Sequence, residues 1–119
     1  MEFIEQMVET KVSEQSVERI FFNEDIRYKE FNHIHFDDFS LSIQASFAHY
    51  CTPKTTLKDL KEYTSMEFAL IREGEFISVS EVAPNFQQLS EIEKYHDTVY
   101  AYVPVDLIEE LYQFLRYGF

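Results

Sequence analysis

The sequence predicts an α+β fold: a single domain, residues 1–119, in which a mainly antiparallel sheet packs against three to four helices. Three observations carry that prediction. Residues 40–47 and 98–105 alternate apolar and polar side chains with the period of a half-buried strand. Two apolar runs flank Glu73-Gly74, a two-residue hairpin turn. Leu107, Leu111, Phe114 and Leu115 recur at helical spacing and stop at Gly118. A chain of 119 residues with twelve Phe and eight Tyr has enough apolar surface for one core.

Taken in order, Phe3, Ile4, Met7, Val8 and Val12 share one helical face, with Glu2, Glu5 and Glu9 between them, which predicts an amphipathic first helix. Ser13 to Ser16 reads as a break. Asn23-Glu24-Asp25, flanked by Ile20/Phe22 and Ile26/Tyr28, predicts a hairpin within 17–31. Ile34 and Phe36 oppose His33, His35 and Asp37 on a further strand. Leu41, Ile43, Ala45 and Phe47 then oppose Ser40, Ser42, Gln44 and Ser46, a strand with a wet outer face. Thr52-Pro53 ends it, and Thr56 leads into a short helix through Leu57, Leu60 and Tyr63.

The hairpin over 66–82 sets Arg72 against Glu75, Leu70 against Ile77 and Phe68 against Val79. Ala83-Pro84 breaks it, and Asn85 with Gln88 caps a helix carrying Phe86, Leu89, Ile92 and Tyr95. Residues 98–117 form the core anchor, a strand running into a helix. Val99, Ala101, Val103 and Val105 point inward there, and Tyr100 and Tyr102 point outward. Asp106 caps the helix, with Glu109 completing a capping box. Glu109 and Glu110 in the first turn and Arg116 in the last complement the macrodipole.

Charge is the main global property. The formal net charge is −12, from 22 acidic and 10 basic side chains, and a polyanion repels phosphate backbones, so direct nucleic-acid binding is not expected. Residues 39–72 are close to neutral, with Lys54, Lys58, Lys61 and Arg72 against Asp59, Glu62 and Glu67. Residues 73–110 hold nine acids and only Lys94. One cysteine permits no internal disulfide, the start lacks the basic region of a signal peptide, and no apolar run reaches membrane-spanning length. The expectation is a cytoplasmic protein without a membrane partner.

The chemistry is bounded mainly by what is scarce. Phosphate-cradling loops and dinucleotide fingerprints need several glycines, and the only two here, Gly74 and Gly118, end a hairpin and a helix. No cofactor is expected. A Gly-flanked nucleophile elbow and a CxxC motif are excluded on the same counts. His33, His35 and Asp37 share a strand face, and two imidazoles with a carboxylate are a ligand set for a divalent metal. The run His33-Ile34-His35-Phe36-Asp37-Asp38 resembles the first part of the HxHxDH motif of metallo-β-lactamase-fold hydrolases. Asp38 stands in place of that motif's third histidine and the chain is too short for that fold, so the activity is not carried over. A strand turning its polar side to water accounts for the same residues. Cys51 near His49 reads as a small buried hydrophobe before it reads as a nucleophile.

The leading expectation is therefore a non-catalytic, acidic, protein-binding domain. It would dock on a basic, nucleic-acid-handling protein in the manner of an inhibitor, immunity or counter-defence protein. The candidate contact residues are Glu73, Glu75, Glu81, Glu91, Glu93, Asp97, Tyr100 and Tyr102. The alternatives are a small-ligand-binding regulatory domain, a metal-dependent hydrolase on His33, His35 and Asp37, and a self-associating homo-oligomer.

Overall fold

The strand whose side chains are most completely covered organises the sheet. Ser65, Met66, Phe68, Ala69 and Leu70 are all buried, as suits a strand paired on both edges. A computed structural model describes residues 1–16 and 28–118. Among these, the elements are α1 (Glu2–Glu5), α2 (Lys11–Ser16), β1 (Ile34–His35), β2 (Ser40–Gln44), β3 (Ser65–Arg72), β4 (Glu75–Ile77), α3 (Val79–Val82), α4 (Leu89–Glu93), β5 (Tyr100–Pro104) and α5 (Val105–Tyr117). A 3-10 turn spans Leu60–Glu62.

The five strands form one antiparallel sheet, so the α+β expectation holds. β2 covers one edge of β3, and β1 pairs with β2. β4 and β5 lie end to end along the other edge, β4 against Leu70–Arg72 and β5 against Ser65–Phe68. The chain thus leaves that edge at Ile77, makes the α3–α4 excursion, and rejoins at Tyr100. One sheet face carries Ile34, Leu41, Ile43, Phe68, Leu70, Tyr100 and Val103 into the core, where Leu107, Ile108, Leu111 and Tyr112 of α5 are also buried. Among the described residues, no helix is long and apolar enough to cross a membrane.

The hairpin turn is as expected. Glu73 and Gly74 both have positive φ, 51° and 78°, which matches a type I′ connection. Arg72 opposes Glu75 and Leu70 opposes Ile77. The second strand nevertheless stops at Ile77, because Ser78 and Glu81 form a capping box that starts α3. The residue across from Phe68 is therefore Tyr100, and Val79 is not in the strand. Arg72 Nε lies 3.3 Å from Asp38, so its ion partner is Asp38 and not the expected Glu75.

Several expectations fail for identifiable reasons. The first helix is two short ones, because Val8 and Thr10 bond the backbone of Asn32 and Glu30 instead of continuing a helix. Thr10 then accepts the N–H of Ser13 at 3.1 Å, and Ser13 to Ser16, expected to be a break, is helical. Of the predicted 17–31 hairpin, 17–27 lie outside the described residues. β2 ends at Gln44, so the alternation does not reach Phe47. Its outer face is not wet, since Ser40, Gln44 and Ser46 are buried. The helix expected from Thr56 reduces to the 3-10 turn, capped by Asp59 accepting from Lys61 N–H at 2.9 Å. The helix expected from Asn85 is only α4, and its N-cap Gln88 makes no side-chain cap bond. α5 starts two residues early, with Pro104 at the N-cap, so Asp106 lies in the first turn and, among the described residues, caps no N–H group. Glu109 has a different task. Its carboxylate accepts the N–H groups of Glu2 at 3.3 Å and Phe3 at 3.0 Å, the free donors at the start of α1.

Candidate functional site

The acidic stretch is built on the β4–α3–α4 excursion and the loop that follows it. Glu73, Glu75, Glu81, Glu91 and Asp97 are exposed, and Glu93 is half-buried. Their surroundings differ. Glu81 accepts the Ser78 N–H at 2.7 Å, and Glu91 holds Lys94 at 2.9 Å. Glu93 accepts the Tyr100 hydroxyl and stands 4.0 Å from His96 Nδ1. Among the described residues, Glu73, Glu75 and Asp97 have no ion-pair partner. The structure thus leaves most of this charge in solvent and balances little of it.

Tyr100 does not belong to that surface. It is 1% exposed, lies parallel to Phe68 at 4.4 Å and to His96 at 4.3 Å, and accepts the Val79 N–H at 2.9 Å. Burial, with the bond to Glu93 adding to it, raises its phenol well above the ordinary value. The outward assignment fails because the strand carries a bulge. Between Met66↔Val103 and Phe68↔Tyr100, two residues, Ala101 and Tyr102, oppose Glu67 alone. That extra residue changes the parity, so Tyr100 and Val103 both face the core.

Tyr102 takes the strained position of the bulge, with φ 56°, and is 44% exposed. Its N–H donates to the Tyr50 carbonyl at 3.0 Å, and the two rings lie 5.7 Å apart. Lys54 sits over the Tyr50 ring at 5.2 Å. Glu67 accepts the Tyr50 N–H at 3.2 Å, and burial raises its carboxyl above the ordinary value. Tyr102 therefore shares one exposed aromatic patch with Tyr50. Tyr50 could not be assigned to it from local pattern, because no helical or strand period links it to Tyr102, 52 positions later.

The histidines are placed apart from one another's chemistry. His33, His35 and Asp37 are exposed, and His33 Nδ1 lies 3.5 Å from Ser40 Oγ. Among the described residues, no three His, Cys, Asp or Glu side chains are grouped to hold a metal. His49 and Cys51 are both buried. The thiol donates to the carbonyls of Ser46 at 3.3 Å and Pro53 at 3.4 Å, and burial pushes its pKa up. His49 Nδ1 pairs with Ser46 Oγ at 2.8 Å, and Ser46 is fully buried, so this pair is part of the interior.

Sequence reasoning missed one concave feature. An open cleft of about 520 Å³ runs between residues 85–88 and the outer face of α5, with Phe86 and Phe114 beneath it. The polar spacing of Glu109, Glu110 and Gln113 shows that this face of α5 is not core, but nothing local says that 85–88 stand opposite it. Against protein-family models, curated proteins and solved structures alike, the chain finds no match.

Proposed function

We propose that this protein is a non-catalytic, acidic binding domain that docks on a basic protein partner, of the kind that handles nucleic acid, and so acts as an inhibitor or immunity-type protein in the cytoplasm. One observation carries the reading: residues 73–110 hold nine acids against a single lysine, that lysine is already held by Glu91, and Glu73, Glu75, Glu81, Glu91 and Asp97 are exposed. A field of one sign concentrates a basic partner near the surface and speeds encounter, while a small apolar contact sets how long the complex lasts. The exposed Phe76 between Glu75 and the end of β4, and the Tyr50–Tyr102 pair, are the apolar groups available for that contact.

The test is capture from a host extract at low salt, followed by a titration of the purified partner. Affinity is expected to fall steeply with salt, and reversal of Glu73, Glu75, Glu91 and Asp97 to Lys is expected to abolish it. Glu93 is left intact in that variant because it holds Tyr100. Binding that ignores both salt and charge reversal overturns the reading.

A further inference from the structure

The cleft beside α5 has a wall, a floor and a sign of charge, and each restricts what fits. Residues 110, 114 and 118 fall four apart, with 109 and 113 beside them, so a single helix face forms the inner wall. From Glu109 to Gly118 that face runs for roughly 13 Å at the helical rise. The floor is aromatic: Phe86 is buried, Phe114 is half-buried, and their rings meet at 5.5 Å and 55°. Of the two, the half-buried Phe114 ring is the more open to a ligand, and the face of such a ring attracts a cation.

The sign is negative throughout. Among the described residues, Glu109 and Glu110 line the cleft and no Lys, Arg or His does. Gly118 closes one end, where the macrodipole of the 13-residue helix is also negative. The cation of the last turn, Arg116, is turned to other partners, over the rings of Phe36 at 4.4 Å and Tyr112 at 5.7 Å. The Gln113 amide nitrogen is committed to Glu2 at 2.9 Å and Glu109 at 2.7 Å, which leaves its carbonyl oxygen. Among the described residues, the Glu110 carboxylate has neither a hydrogen bond nor an ion pair, and it stands at the same rim.

We propose that this cleft binds a planar organic cation, an amidinium or guanidinium group carried on an apolar body. The planar cation lies against the aromatic floor, and its forked N–H donors meet the Glu110 carboxylate. An anion is repelled by the same wall. A neutral aromatic gains only the floor, and a compact ammonium is more strongly hydrated and lacks the flat face. Two sources carry this chemistry, a free small guanidine and an arginine side chain of another protein. The assignment stands on the cleft itself and does not depend on the acidic docking surface proposed above.

The test uses the full chain, isotope-labelled for backbone NMR and titrated with benzamidine and its neutral counterpart benzamide. Benzamidine is expected to give saturable shifts at 85–88 and 109–118, with benzamide about tenfold weaker. Glu110→Gln is expected to weaken benzamidine by about fivefold, the size of a partly exposed ion pair. Shifts centred elsewhere, equal affinity for benzamide, or an unchanged Glu110→Gln variant each overturn the proposal. A second arm compares butylguanidine with N-acetylarginine methylamide. Tighter binding of the first marks a free guanidine as the source, tighter binding of the second marks a protein side chain, and saturation by neither overturns the guanidinium assignment.

Discussion

The side chain of Gln44 makes both hydrogen bonds to the backbone of Phe31, Oε1 accepting its N–H at 2.8 Å and Nε2 donating to its carbonyl at 2.9 Å. A carboxamide has the same donor and acceptor as a peptide unit, so Gln44 acts as one rung of a strand toward the segment around Phe31. Both residues are buried, at 6% and 5% exposure, and water cannot replace the lost bonds. Gln44→Leu is expected to cost about 2–4 kcal/mol, because it strands a buried donor and a buried acceptor. Urea unfolding measures this, and a cost below about 1 kcal/mol contradicts the pairing.

Glu109 ties the two ends of the chain together by receiving the first N–H groups of α1 from 106 residues away. A helix as short as Glu2–Glu5 has little stability of its own, so it depends on this cap and on the burial of Phe3. Glu109→Ala is expected to lose about 1–2 kcal/mol and to raise hydrogen exchange in residues 2–7, while Glu109→Gln keeps an acceptor and loses less.

Tyr102 occupies the left-handed region at φ 56°, a conformation that costs a non-glycine residue about 1 kcal/mol. Two truncations separate the backbone from the ring. Both Tyr102→Gly and Tyr102→Ala remove the Tyr50 contact, but only glycine relieves the strain. The glycine variant is expected to be the more stable by about 1 kcal/mol. Equal thermal midpoints for the two would mean that the bulge does not hold this geometry in solution.

Burial lowers His49 to about 4 from its ordinary value of 6.5; Lys54 adds to the lowering and Glu30 opposes it. Between those two values the unfolded chain binds the proton and the folded chain does not. Stability from the neutral ring is therefore complete above pH 6.5 and is lost as pH falls toward 4. The expected loss is about 2 kcal/mol between pH 7 and pH 4.5. His49→Gln, which retains a partner for Ser46, is expected to lack this component, so the wild-type and variant stabilities measured against pH should converge on acidification. Parallel curves would contradict it.

How much of this was legible depends on the range of the cue. The Glu73-Gly74 turn needs two adjacent positive φ values, and that requirement is local, so the Leu70↔Ile77 register followed correctly. The α5 stripe and its stop at Gly118, φ 84°, are likewise properties of neighbours. The capping box at Ser78 and Glu81 was equally local, but an apolar run through Val82 read as strand and hid it. Of the candidate contact residues, the exposed glutamates, Asp97 and Tyr102 lie where alternation and charge put them, and Tyr100 does not.

The amino-acid order by itself determined the α+β class, the strand-to-helix close of the chain and the uneven distribution of acid. Each arises from periodicity, turn chemistry or composition, which are set within a few residues. Only the tertiary structure decided that Tyr100 is interior, that Gln44 and Glu109 serve distant backbone groups, and that residues 85–88 face α5 across a cleft. The physical reason is that one inserted residue in β5 reverses the facing of the side chain before it. A hydrogen bond or a cleft formed between distant segments likewise leaves no trace in the local pattern of either one.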